Sequence, residues 1–458
     1  MEKTYQGLIF KPQLVLKRLV TGILPGLAFL ALSCSAAAAQ SISLISDEES
    51  EQLLAEIAKP LYQAAKVRFD RGNIYLVNDP SLNAFVADGN GLFIHTGTIL
   101  AADSPNELAG VIAHETGHIE GGHILRQKLK AKEMSEVTLV SALLAGTAAA
   151  VSGRGDAAMA VLLGSQSSAL THYTRYRTQE ERSADEAALK LLAATGQSPQ
   201  GMLTFMKRIS QNNVLNGREE SPYFRTHPVT QERISFFEQA VKNAAAGGSD
   251  PRQEKFERVK AKLYAFLNSP AQTFSKYPSG DKSAAAGYAR AIAQLKQLQF
   301  AAALKEIDEL VKKEPGNPFF HELKGQIYLE SGQIKPAARE YEKALALLPN
   351  SPLLQESAAQ AILENNPSPL EVQKAVNLLN KALLRRPNAG AWQLLSRAYC
   401  MKGDEASAAY AAAEFSLGIG ARDTAERQAL QSRKQTNSKS LKLKIDDLLI
   451  RIKNLNEK

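Results

Sequence analysis

Cysteine is nearly missing from this 458-residue chain, which holds only Cys34 and Cys400. Cys34 lies in an N-terminal stretch that reads as a cleaved export signal, so Cys400 is left alone in the mature chain. No intramolecular disulfide can then form, even in an oxidising compartment, and the chemistry must lie outside thiols. Long hydrophobic runs are lacking too. Leu19–Leu32, interrupted by Pro25-Gly26, and the apolar stretches 137–151 and 157–163 all fall short of the roughly 20 residues that span a bilayer. No nucleic-acid motif and no interleaving of aromatic with basic residues accompanies the net charge of +8 and the pI of 9.2, which argues against a nucleic-acid partner. Acidic headgroups or acidic partners remain open for the basic C-terminal run, residues 433–458. A composition of 44% hydrophobic and 22% charged residues excludes wholesale disorder. The length exceeds what one core supports and predicts two or three domains.

The N-terminus has the parts of a secretory signal. Lys11, Lys17 and Arg18 precede the apolar Leu19–Leu32 stretch, and small residues follow, ending in Ala37-Ala38-Ala39 before Gln40. Ser46-Asp47-Glu48-Glu49 predicts the start of an amphipathic helix running to about Lys66. Ile74–Val77 reads as a strand, and Asn83–Thr96 as a hairpin of strands 83–86 and 92–96 around Asp88-Gly89-Asn90-Gly91. Ser104-Pro105-Asn106-Glu107 supplies an N-cap, a proline at the first helical position and a capping-box glutamate. The helix it opens is expected to run to about Leu129. The apolar stretches 137–151 and 157–163 read as a buried helical hairpin, the alternative being a flap or a surface that leans on membrane or unfolded substrate. Another helix is expected from Thr178 to about Ala194, and a loop at residues 244–250.

Beyond about residue 280 the chain becomes Ala-rich and repetitive. Pro315, Pro349 and Pro387 close similar segments at spacings of 34 and 38 residues. With Gly325, Tyr328, Gly332, Ala337-Ala338, Tyr341 and Ala344 between them, the pattern resembles the tetratricopeptide repeat, two antiparallel helices per unit. Three to four repeats are counted, with the 38-residue unit expected to carry a longer turn at Asn365–Pro369. Such arrays bind peptides or partner proteins on a concave face. A basic helix at Leu441–Leu455 is expected to cap the array.

Of seven histidines, His114, His118 and His123 fall within ten residues. His114-Glu115-Thr116-Gly117-His118 is the HExxH pattern. Four residues on a helix bring both imidazoles to one face, where they can share one zinc ion. Glu115 lies about 100° round the helix, within reach of a water on the metal. The longer pattern with a third histidine needs residue 124, which is Ile124. On a continuous helix His123 would point away, about 900° of turn beyond His114. His123 is therefore read as a polar surface residue or a partner of a ligand, not as a ligand. His95, His172 and His321 have no partner pattern and read as structural. Tyr173, Arg175 and Tyr176 are left without a role.

The remaining ligand comes from a resemblance. HExxH followed by Glu181-Arg182-Ser183-Ala184-Asp185 resembles the HtpX- and BepA-like zinc proteases, metallopeptidase family 48, whose E-x-x-A-D segment provides a zinc-binding glutamate. The resemblance implies that Glu181 joins His114 and His118 on Zn²⁺, with Glu115 as the catalytic base. It implies that Asp185 accepts an N–H from a ligand histidine. Arg225-Thr226-His227-Pro228 and Arg233-Ile234 match a downstream His-Pro motif, implying that His227 gates the zinc or stabilises the reacting carbonyl. The Gly91–Gly97 strand is then the edge on which an extended substrate pairs.

The fold implied is mainly α: an α+β zincin-type HExxH metalloprotease domain followed by an α-helical tetratricopeptide-repeat solenoid. The domain expectation is a signal at 1–39, the protease at 40–270, repeats at 280–425 and a basic helix or tail at 426–458. The function implied is a periplasmic zinc endopeptidase in protein quality control and outer-membrane protein assembly or degradation. Its partners would be unfolded or misassembled proteins and, through the repeats, outer-membrane assembly machinery, with membrane-surface contact left open. The alternative is a periplasmic chaperone or assembly scaffold whose protease site is latent.

Overall fold

The computed structural model describes residues 43–456, except 88–89, 128, 130–176, 217–222, 224–225 and 245–249. The expected export signal, the apolar stretches 137–151 and 157–163, His172, Tyr173, Arg175, Tyr176 and Arg225 lie outside the described residues. The chain forms two compact units. Glu49–Tyr264 make one; residues 265–456, with residues 43–48, make the other. No described helix is long and apolar enough to cross a membrane.

The first unit begins with α1 (Glu48–Ala64), whose Leu53, Ile57 and Leu61 are fully buried. Three strands follow: β1 (Ile74–Val77), β2 (Ala84–Ala87) and β3 (Gly91–His95). β2 and β3 form the antiparallel hairpin, with Phe85 opposite Phe93 and their rings stacked 4.9 Å apart. β1 pairs with β3, not with β2, and runs parallel to it, Ile74 opposite Leu92. The sequence expectation that the Gly91–Gly97 strand is the edge is therefore corrected. β3 is sandwiched, and β2 is the edge, with β3 as its one strand neighbour among the described residues. The Asn83 carbonyl accepts from His95 N, so residues 83, 85 and 87 turn their polar groups toward β3. Leu82, Ala84 and Val86 turn theirs outward, as antiparallel alternation requires.

Helices α2 (Thr96–Ala101), α3 (Pro105–Glu120), α4 (177–194), α5 (Gln200–Asn216) and α6 (Gln231–Asn243) complete the part around the site. Ser104 caps α3 by accepting from Glu107 N. The Glu107 carboxylate reaches past Ser104 to Asp103 N, 3.1 Å away, and pairs with Arg208. The expected reciprocal bond to Ser104 is thus displaced by one residue. α3 stops at Glu120, not near Leu129: Gly121 and Gly122 form a turn, Gly122 at φ +64°, before helix resumes at His123.

α7 (Gln253–Leu267) belongs mostly to the first unit, which ends at Tyr264; in the second unit, α8 (Pro270–Lys276) leads into helical hairpins. These are α9 (Ala284–Lys296) with α10 (Phe300–Lys313), and α11 (Pro318–Glu330) with α12 (Ile334–Leu347). They continue as α13 (Pro352–Glu364) with α14 (Pro369–Arg385), and α15 (Ala389–Met401) with α16 (Glu405–Gly418). Each hairpin turn places one residue at positive φ: Leu298, Gly332, Asn366 and Gly403. Glycine fits that left-handed position without a Cβ penalty, and asparagine tolerates it. The four extra residues of the third hairpin lie mostly in α14, which has 17 residues against 14 in α12, so the expected longer turn is only a small part of the difference. His321 has a structural setting, its Nδ1 2.6 Å from Glu340 and its Nε2 3.0 Å from the Pro315 carbonyl. α17 (Arg422–Gln435) and α18 (Lys439–Asn456) follow, with Ile445, Leu448 and Ile452 of the basic α18 packed on Ala413, Ala425 and Ala429.

Candidate metal centre

α3 is buried along nearly its whole length, from Pro105 to His118, and its small residues let neighbouring backbones come close. A Cβ on Gly110 would stand 2.6 Å from Met202 N, and one on Gly117 would stand 2.8 Å from the Ala184 carbonyl oxygen. Gly117, inside the HExxH pattern, is thus what lets α4 lie against α3 and bring Glu181 and Asp185 over the two histidines. Gly117→Ala is expected to push α4 away, lowering stability by about 1–3 kcal/mol, the usual cost of overpacking. Metal retention should weaken with it. A thermal melt and metal content identical to wild type would refute this account of Gly117.

Four buried side chains converge. His114 Nε2 and His118 Nε2 are 3.1 Å apart. Each lies 3.3 Å from a Glu181 carboxylate oxygen. His227 Nδ1 stands 3.4 Å from His114 Nε2 and 2.9 Å from Glu181 Oε1. Among the described residues, His114, His118, Glu181 and His227 make the one group of His, Cys, Asp or Glu donors close enough to hold a metal ion. Ligand bonds of about 2.0–2.1 Å in a tetrahedron put neighbouring donor atoms about 3.3 Å apart, which is the spacing found. Imidazole nitrogens and a carboxylate that face one point can turn their lone pairs on a shared cation there. The donor set fits a zinc-type site.

Around these donors stands a ring of supporting groups. Asp185 Oδ1 lies 2.9 Å from His114 Nδ1. Arg233, only 7% exposed, grips Asp185 with two bonds of 2.7 and 2.9 Å, reaches Glu181 Oε2 at 3.0 Å and donates to the Pro228 carbonyl. Burial opposes the charged forms of both carboxyls. His227 and the other two imidazoles nevertheless hold Glu181 far below the usual carboxylate range, and Arg233 lowers the Asp185 carboxyl. Glu115 is 1% exposed, with Oε1 3.5 Å from His227 Nε2. Burial, with the Glu181 charge adding to it, pushes the Glu115 carboxyl up to about 7 against the opposing pull of His118, His114 and Arg233.

His123 corrects the expectation from helical drift. Because α3 breaks at Gly121, His123 folds back to place its Nδ1 2.8 Å from His118 Nδ1, and it is 1% exposed. It is not on the far side of the helix; of the two readings, surface residue or partner of a ligand, its contact with His118 fits the second, and it stays outside the donor group. His95, at the end of β3, bonds Ser81 Oγ at 3.0 Å and lies far from this chemistry in its contacts.

A model of the Peptidase family M48 matches residues 48–241. Residues 48–241 form an M48 peptidase domain. The beta-barrel assembly-enhancing protease of Escherichia coli (strain K12) is 25% identical over 366 residues, covering 78% of this chain and 73% of that protein. The putative beta-barrel assembly-enhancing protease of Vibrio cholerae is 26% identical over 354 residues, covering 72% and 69%. Among solved structures, the crystal structure of MamA aligns at 18% identity and a TM-score of 0.28, covering 36% of this chain and 94% of that one.

The sequence placed Arg233 in the downstream His-Pro motif without a role for it, and singled out Tyr223 in no way. Arg233 offered a faint signal, a charged residue on the apolar face of a helix that also buries Ile234 and Phe237. Tyr223 offered none. Its fully buried ring lies 4.7 Å from that of His227, and its N–H donates to the Leu82 carbonyl on the outward side of the β2 edge.

Proposed function

We propose that the protein is a zinc-dependent endopeptidase of the cell envelope, acting in the periplasm in quality control and in outer-membrane protein assembly or degradation. The observation that carries the catalytic part is the buried group of four donor residues beside a carboxyl poised near neutrality. The envelope part is supported by the export-signal pattern and by the relatives named for β-barrel assembly. His114, His118 and Glu181 would hold the ion. A bound zinc acts as a Lewis acid and lowers the pKa of water toward about 7. Glu115 takes a proton from the attacking water and returns it to the leaving amine. Asp185 fixes the His114 ring, and Arg233 fixes Asp185. An extended substrate strand pairs with the outward groups of Ala84 and Val86 on β2. The repeats receive unfolded or misassembled clients and envelope assembly partners.

His227 sets the resting state. Its Nδ1 fills the donor set, and its Nε2 lies against Glu115, so neither a water nor a substrate carbonyl has a place there until His227 leaves. The backbone supplies a route for release. His227 N donates to the Tyr223 carbonyl, and Tyr223 N donates to Leu82 O on the substrate edge. A strand pairing along that edge competes for Leu82 and loosens the His227 turn. This arrangement also favours the second reading, a chaperone or assembly scaffold that keeps its protease latent. His227→Ala should retain zinc on three protein donors and raise casein-type cleavage by roughly tenfold, the response when about a tenth of the molecules are competent at rest. A chelator should abolish that cleavage and zinc should restore it. Chelator-resistant cleavage would refute the zinc mechanism, and unchanged turnover would refute the latch.

A further inference from the structure

We propose that His123 is a positioning residue for the metal ligand His118, holding its ring by accepting the His118 Nδ1–H on its own Nδ1. The inference rests on the reading of His118 as a ligand and extends it to a residue outside the donor set. The two Nδ1 atoms are 2.8 Å apart and the rings meet edge to face at 79°. So short a contact between imidazole nitrogens requires one proton between them. His118 turns Nε2 toward His114 and Glu181. To offer that nitrogen's lone pair, His118 must keep its proton on Nδ1. His123 must then present a bare Nδ1 and carry its own proton on Nε2.

The local chain is built for this contact. Helical continuation would place His123 about 140° round from His118. The Gly121-Gly122 turn cancels that rotation. A Cβ on Gly121 would lie 2.3 Å from His123 Nε2, so the seat of the ring exists only because residue 121 has no side chain. The two ligand histidines are thereby held by different chemistry, His114 by the Asp185 carboxylate and His118 by a neutral imidazole. The neutrality has a reason. Glu115, Glu180, Glu181 and Asp185 are already buried around the site, with Arg233 reaching only Glu181 and Asp185. A further carboxylate at residue 123 would add like charge there. An imidazole orients His118 without that cost.

Two measurements on the full-length protein decide it. First, zinc-loaded wild-type protein labelled with ¹⁵N-histidine is read by long-range proton–nitrogen spectra. His118 protonated on Nδ1 and His123 protonated on Nε2 is the expected pattern, and the reverse on His123 overturns the proposal. Second, zinc affinity is measured by competition with a chromophoric chelator in His123→Leu and His123→Asn. Leucine should weaken zinc by about 10–100-fold, the usual effect of removing a group that orients a ligand. Asparagine, whose carbonyl can accept the same proton, should recover most of the loss, and the cobalt-substituted spectrum should follow the same order. Wild-type affinity and spectrum in His123→Leu, while His118→Ala loses metal, would overturn this inference and leave the zinc reading standing. A wild-type protein that takes up neither zinc nor cobalt would overturn both.

Discussion

Glu115→Gln should keep the bound metal and the thermal stability of the wild-type protein while lowering kcat by about 10²–10⁴-fold, the range of a positioned acid–base group. The amide preserves the shape of a side chain that is 1% exposed but cannot take a proton. A Glu115 that works as the proposed base must be ionised in the resting enzyme. Its carboxyl is raised to about 7 by burial, so activity falls as pH drops through that region and levels off above it. A bound dication favours the carboxylate and moves this limb to lower pH. Single-turnover cleavage across pH 5–9, with metal content measured on the same samples, checks both points. Full activity in Glu115→Gln would remove the residue from the mechanism.

Arg233→Met should be the most damaging change away from the donors themselves. It strips the paired cation from Asp185 and Glu181, which are 1% and 4% exposed. Leaving a buried charge without its partner costs about 3–5 kcal/mol. At roughly 2–4 °C per kcal/mol for a unit of this size, the melting temperature should fall by about 10 °C. Lysine should rescue poorly, because it cannot make the paired bonds that the guanidinium fork makes with Asp185. Arg233 depresses the Asp185 carboxyl. The stability from that pair is therefore present above the ordinary aspartate range and lost as pH falls through the depressed value. In Arg233→Met this acid-side loss should begin at higher pH. A melting curve indistinguishable from wild type at neutral pH would contradict the role given to Arg233.

What the sequence revealed, and what it hid, follows from how local each determinant is. The helix bearing His114, Glu115 and His118 was legible because Ser104-Pro105 signals its start and the i, i+4 spacing fixes its face. Glu181 and Asp185 were legible only through a resemblance, since a glutamate in a charged helix looks like a surface residue until α4 packs on Gly117. His123 was misplaced because helical drift was carried through Gly121-Gly122, where the chain turns. The edge strand, taken from the resemblance, was misassigned, and hairpin signals could not correct it, since they report β2 against β3 and say nothing of the parallel partner β1. Arg233 was visible as part of the motif after His227, but its role was not, because its partner Asp185 is 48 residues away. In the repeats, the proline and glycine periodicity located the turns, but the length of α14 had no local marker.

The zinc stoichiometry of metal-stripped, full-length protein, measured by calorimetric titration, bears most directly on the centre of the account. Tight uptake of one ion per chain, at the single donor group among the described residues, is the expected result for wild type and for Glu115→Gln. Uptake should be lost or strongly weakened in His118→Ala and Glu181→Ala. A wild-type protein that refuses zinc, or one whose binding survives both ligand substitutions unchanged, would contradict it.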